Sequence, residues 1–320
     1  MRKTYRELLK PLVAVLMVIG ILTSGMVRTE KVNAANSGQA WDGVINIAES
    51  EIGYKEKTGK KNKYAQFFDD LRKEDKNYYY DKKNGIDWCS IFVDWCFVQA
   101  YGYTFARQMR YKNQKFQGGA SCSATYEQYT DKGLRGKFKP QKGDQIFFNH
   151  GHTGLVIDVT DKKVFTIEGN TKEKKTDTVN KVFPHSYDLT DPDIKGYGRP
   201  DYSVVEPYCQ FIRALYLDAV GTGCSSNNLY KYVAKLGKDK ISTAFEPVMW
   251  EIYNLPKVKA LPHEEFVNRL YLGLLRRSPT DAERTYLVSF INYKDRRAAL
   301  DKILDSKEWK DRAKTLGLNL

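Results

Sequence analysis

Hydrophobic and polar positions change period three times along the chain. Residues 12–22 are an apolar run broken only by Gly20, preceded by the basic residues Arg2, Lys3, Arg6 and Lys10. Val32-Asn33-Ala34 then places small residues where a signal peptidase reads, so 1–34 is expected to be a secretory signal peptide. The run is shorter than the ~20 residues of a bilayer span, and no permanent membrane span is expected. Within 41–202, Val44, Ile45, Ile47, Ala48 and Ile52 recur at helical spacing between Asp42 and a stop at Gly53. A charged, Tyr-rich stretch (69–87) reads as loop. Asp87 is placed to cap a helix running from Trp88 towards Ala100, with Phe92, Trp95 and Cys96 facing inward. From Lys142 the period becomes two, predicting strands at 144–148, 153–159 and 164–168 and another near 197–202. Helices followed by an antiparallel meander make an α+β domain.

From Cys209 onward the strand pattern stops. Phe211-Ile212-Arg213-Ala214-Leu215-Tyr216-Leu217 returns as Phe266-Val267-Asn268-Arg269-Leu270-Tyr271-Leu272, each at helical spacing. Thr280-Asp281-Ala282-Glu283 has the form of a capping box that opens another helix. The pattern predicts an α+β part over 35–204 and an all-α part built from two stacked helical units over 208–317, joined by the short segment 203–207.

The chain has 320 residues, 42% of them hydrophobic and 13% aromatic, which supplies real cores and excludes a wholly disordered polymer. A net charge of +13 raises the possibility of nucleic acid. No zinc finger, helix-turn-helix or RNA-binding aromatic motif supports that reading, and for an exported chain anionic cell-wall polymers are the expected partners. Five cysteines are too few and too odd for a disulfide scaffold and point instead to a reactive thiol. A Cys209–Cys224 bridge stays open; Cys96 and Cys122 read as core.

Cys89 falls in the first turn of the helix after Asp87, where free N–H groups and the helix dipole favour a thiolate. His152 opens a strand and supplies an imidazole base; His150, two residues earlier, reads as surface turn. Glu168 and Asn170 flank Gly169 at the end of the next strand, and period-two alternation puts both on one face, either one able to orient the imidazole. The stretch 81–87 holds acids and a glycine but also two lysines and lacks alternating oxygen ligands, so neither metal nor cofactor is expected.

The run Trp88-Cys89-Ser90-Ile91-Phe92-Val93-Asp94-Trp95-Cys96, the Lys142–Phe148 segment, His152-Thr153-Gly154-Leu155-Val156, Glu168-Gly169-Asn170 and the closing Gly196-Tyr197-Gly198-Arg199-Pro200 together resemble the CHAP family. These are cysteine- and histidine-dependent amidohydrolases and peptidases of the papain-like superfamily. The resemblance implies a papain-like fold, Cys89 as nucleophile, His152 as base, Glu168 with Asn170 as orienting groups, and peptidoglycan amide bonds as substrate, cut as an endopeptidase or an N-acetylmuramoyl-L-alanine amidase. The C-terminal repeat resembles a helical domain of unknown function found on bacterial extracellular proteins, departing from it at Leu287, where a Trp is expected after Tyr286. Two other functions use the same residues differently: a papain-like acyl transferase or protease acting on proteins, and a wall- or surface-binding module without turnover. On the leading reading the protein is secreted and associated with the cell wall.

Overall fold

The computed structural model describes residues 38–74, 84–111, 120–129, 134–238 and 240–320; the predicted leader lies outside them. Six strands, β1 (Arg135–Gly136), β2 (Gln145–Phe148), β3 (Thr153–Val159), β4 (Lys163–Thr171), β5 (Lys181–Asp188) and β6 (Ile194–Gly198), form one sheet in the order β1-β6-β2-β3-β4-β5. Every pairing is antiparallel. All four residues of β2 and the first four of β3 are buried, as a central pair covered on both faces requires. The predicted strand near 197–202 is corrected to Ile194–Gly198: the chain leaves the sheet at Arg199-Pro200, where proline lacks the N–H a ladder needs. Strand β5 was not predicted. Pro184, His185 and Ser186 interrupt its apolar pattern, which is tolerable because β5 is the last strand of the sheet, and the segment that bonds its outer side, Gly53–Lys55, does so at Lys181 and Val182, before the proline.

Helices α1 (Asp42–Ser50), α2 (Lys63–Glu74), α3 (Cys89–Arg110) and α4 (Cys122–Gln128) precede the sheet in the chain, and α3 packs on β3 and β4. The expected stop near Ala100 is not a stop. The chain breaks at Gly102 (φ 76°, ψ 162°) and continues helically to Arg110. A Cβ at Gly102 would stand 2.3 Å from the Ala234 carbonyl oxygen and 2.3 Å from the Gly237 carbonyl carbon, so backbone touches backbone here. Thr104 N–H donates to the Gly237 carbonyl at 2.7 Å across the same contact. Gly102→Ala is therefore expected to destabilise the protein by ~2 kcal/mol or more, through left-handed strain and steric conflict together, as read from urea denaturation.

Eight helices follow: α5 (Glu206–Val220), α6 (Ser226–Leu236), α7 (Ile241–Tyr253), α8 (Pro256–Lys259), α9 (His263–Leu270), α10 (Asp281–Tyr293), α11 (Arg296–Leu304) and α12 (Lys307–Thr315), with a π-helical turn at Tyr271–Leu275 after α9. Thr280 and Glu283 form the anticipated capping box at the start of α10. The two similar segments, in α5 and in α9 with its π-helical turn, pack on one another. Phe211, Phe245 and Trp309 fill the centre, their ring centroids 5.5–5.7 Å apart. Residues 38–320 form one compact unit. The apolar core runs without interruption from the α+β part into the helical part, through Tyr101 against Tyr230 and Phe105 against Tyr208. Among the described residues no helix is long and apolar enough to cross a membrane.

Candidate active site

Cys89 is the first residue of α3, and the aromatic packing of its neighbours fixes where that helix begins. Trp88 is fully buried, lies against Tyr64 (centroids 5.4 Å, 30° between planes) and donates its indole N–H to Glu56 Oε2 at 2.7 Å. Trp88, not Asp87, occupies the N-cap position, and no side chain caps the helix. Asp87 instead holds Lys60 Nζ at 2.6 Å and accepts from Asn170 Nδ2 at 3.1 Å. The free N–H groups of the first turn are thus not consumed by a capping side chain. Strand β4 comes directly onto this turn because residue 169 is glycine: a Cβ there would lie 2.5 Å from Phe92 Cβ.

That close approach brings the sequence-predicted residues together. His152, immediately before β3, has Nε2 2.9 Å from Glu168 Oε2. Glu168 is 1% exposed. Its other carboxylate oxygen accepts hydroxyl hydrogen bonds from Thr166 at 2.6 Å and Tyr187 at 2.9 Å. With Nε2 turned to Glu168, the imidazole of His152 also interacts with the side chain of Cys89.

Asn170 departs from expectation. The β4–β5 register shifts between Glu168 and Thr171, and Asn170 takes a left-handed φ of 56°, so the alternation that would have put it beside Glu168 is lost. Its amide bonds to Asp87 and Asn180, not to His152. Between the two orienting candidates, the imidazole contact falls to Glu168. His150 lies in the turn beside His152, as expected of a surface residue, and contacts Asp193.

Ionisation follows from these contacts. The Cys89 thiol is held well below the ordinary thiol range, first by a hydrogen bond from Cys122 and, against burial, by His152 and the Ser90 N–H. For His152, burial works to lower the pKa; hydrogen bonds to Cys89 and Glu168, with the charges of both, outweigh it and push the value up to about 10. Burial would raise the Glu168 carboxyl, yet the hydrogen bond and charge of His152 keep it lowered. At neutral pH the consistent state is a Cys89 thiolate facing a His152 imidazolium backed by a Glu168 carboxylate.

A buried network fixes α3 relative to the strands. Arg110, with no exposed side-chain surface, donates to Asp94 Oδ1 (2.5 Å), Tyr129 OH (2.9 Å) and Gln145 Oε1 (2.8 Å). Gln145 Nε2 in turn donates to Thr153 Oγ1 at 3.0 Å, one residue after His152. The helix bearing the sulfur and the strand bearing the imidazole are coupled through this chain of bonds.

Several contributors were not apparent beforehand. Cys122, expected in the core, is half-buried with its sulfur 3.4 Å from Cys89 Sγ. Tyr187 comes from the unpredicted strand β5, while Thr166, two residues before Glu168, could have been found from the same alternation that located Glu168. Cys209 and Cys224 are unbonded thiols. Of the stretch considered for metal, 81–83 lie outside the described residues; Asn84 and Asp87 bond to neighbouring protein groups.

No curated protein and no solved structure matches the chain. Residues 81–170, the span that holds Cys89, His152, Glu168 and Asn170, match the CHAP domain, a family associated with cysteine- and histidine-dependent amidohydrolases and peptidases.

Proposed function

We propose that the protein is a secreted peptidoglycan hydrolase that cleaves amide bonds of wall peptides through Cys89, with His152 as acid and base and Glu168 holding the imidazole. The observation that carries this reading is a helix-mouth thiol that interacts with an imidazole whose Nε2 lies 2.9 Å from a buried carboxylate. The Cys89 thiolate attacks the amide carbonyl carbon, and N–H groups of the first turn of α3 receive the oxyanion. The imidazolium gives its proton to the leaving amine as the C–N bond breaks, leaving a thioester. Neutral His152 then takes a proton from water, the resulting hydroxide attacks the thioester and expels the thiolate, and the carboxylic acid so formed departs, losing its proton to solvent. Asn170, bonded to Asp87, holds the loop at the end of β4 and is given no direct part in these steps. The basic surface and the helical part, with its C-terminal family resemblance, are assigned to attachment on anionic wall polymers.

Digestion of purified peptidoglycan, with mass analysis of the released muropeptides, tests the reading. New amino termini within stem or cross-bridge peptides identify an endopeptidase, and release of the peptide from the muramoyl group identifies an amidase. Cleavage or acylation of protein substrates with peptidoglycan untouched replaces this reading by the protease or transferase. No turnover of either leaves the binding module.

Glu168→Gln separates orientation from bulk. Removing the negative charge takes away two of the influences that raise His152, so the alkaline limb of the pH–rate profile is expected to move down from near 10 towards the ordinary imidazole range. The rate at the optimum should fall by about tenfold or more. An unmoved alkaline limb contradicts the assigned role.

A further inference from the structure

Cys122 helps to hold Cys89 as a thiolate, but its own sulfur makes and breaks no bond in this mechanism. It lies 3.4 Å from Cys89 Sγ, in van der Waals contact, with each residue in the first turn of its own helix. A buried hydrogen bond between Ser90 and Thr125 hydroxyls (3.0 Å) pins those two turns together next to the sulfurs. The other three cysteines do not compete: Cys96 is buried further along α3, and Cys209 and Cys224 belong to the helical part.

We propose that Cys89 and Cys122 are a reversible redox pair, closing as a disulfide that removes the nucleophile and opening on reduction. A disulfide needs its sulfurs ~2.05 Å apart, so closure asks for a little over an ångström of movement, within reach of side-chain rotation. The oxidant is a small-molecule disulfide. Its S–S bond is attacked by the Cys89 thiolate, releasing one thiolate and leaving a mixed disulfide on Cys89. Cys122 then loses its proton to solvent and attacks Cys89 Sγ, expelling the second thiolate; both leaving thiolates pick up protons. The protein loses two electrons and the Cys122 proton, solvent supplies one further proton, and the reagent becomes two thiols. The Cys89 thiolate is already present to start this exchange, and Cys122, held protonated by its hydrogen bond to Cys89 and by burial, becomes a competent thiolate only once Cys89 has been capped. The regulatory meaning of the pair rests on the hydrolase reading; its chemistry does not.

The test treats full-length reduced protein with oxidised glutathione, traps free thiols by alkylation, and maps the peptides by mass spectrometry alongside a peptidoglycan digestion assay. The expected result is a Cys89–Cys122 cross-linked peptide, loss of activity to the level of Cys89→Ala, and recovery of both the thiols and the activity with dithiothreitol. In Cys122→Ala and Cys122→Ser, each checked for folding by thermal melting and compared with its own reduced form, the cross-link is absent and glutathione stays on Cys89. Wild-type protein that accumulates a stable Cys89–glutathione adduct, or keeps both thiols free, overturns the pair. A cross-link in a protein whose reduced form never cleaves peptidoglycan contradicts the hydrolase reading and supports the pair; active hydrolase without a cross-link does the reverse.

Discussion

Cys89→Ala is expected to lose peptidoglycan cleavage by about three orders of magnitude or more, because it removes the atom that forms the covalent intermediate. Cys89→Ser should be nearly as inactive. A serine hydroxyl in the same place titrates far above a thiol, and the contacts that depress the Cys89 thiol cannot bring an alcohol to its anion near neutrality. Neither change removes much buried surface, since the side chain is small, so thermal unfolding should move little. His152→Ala should match Cys89→Ala within about tenfold, and the double variant should be no worse than either single one, because groups that act as a unit are not additive. Residual cleavage by Cys89→Ala at a tenth of the wild-type rate would point to a different nucleophile.

Arg110→Met is expected to produce the largest loss of stability, about 3–5 kcal/mol by urea denaturation. The guanidinium has no exposed surface and supplies hydrogen bonds to Asp94, Tyr129 and Gln145, so its removal leaves the Asp94 carboxylate buried without its countercharge. Tyr111 OH still donates to Asp94 at 2.8 Å, but a neutral hydroxyl does not replace the lost positive charge. Arg110→Met combined with Asp94→Leu should cost distinctly less than the sum of the two single changes, since the double variant carries no unpaired ion. Catalysis should suffer as well, for Gln145, which bonds to Thr153 beside His152, loses one of the two donors on its carbonyl oxygen and keeps only Tyr129 OH at 3.1 Å. Equal costs for the double and the summed single variants would mean that the ion pair is not the source of the effect.

Particular residues explain how far the sequence could be read. Cys89, His152 and Glu168 were legible because each falls near the edge of an element that the pattern marks: a helix start behind a polar loop, the residue before a buried strand, and the buried stretch of β4. Asn170 followed the same rule and misled, since a register shift and a left-handed residue break the alternation at that point. Cys122 was illegible as a partner of Cys89. Its place beside Cys89 comes from the packing of α4 on α3, and the local signals are a short helix and a Ser121 cap. Strand β5 was hidden by its own proline and polar residues, and Tyr187, which steadies Glu168, was hidden with it. The continuation of α3 past Gly102 depends on the Gly237 backbone, more than a hundred residues away in sequence, so no local pattern could announce it. The change from an α+β to an all-helical region was readable from the change of period, whereas their shared core was not, because it is built from α3 residues whose partners lie in α5 and α6.

The most direct measurement of the central claim is the rate of Cys89 alkylation by iodoacetamide as a function of pH, read peptide by peptide in wild-type protein and in His152→Ala. A thiolate–imidazolium pair gives a wild-type rate already on its plateau at neutral pH, falling only in acid, and a His152→Ala profile displaced upward towards the ordinary thiol range. A wild-type rate that rises only in that ordinary range, or a profile that His152→Ala leaves unmoved, would contradict the thiolate–imidazolium pair.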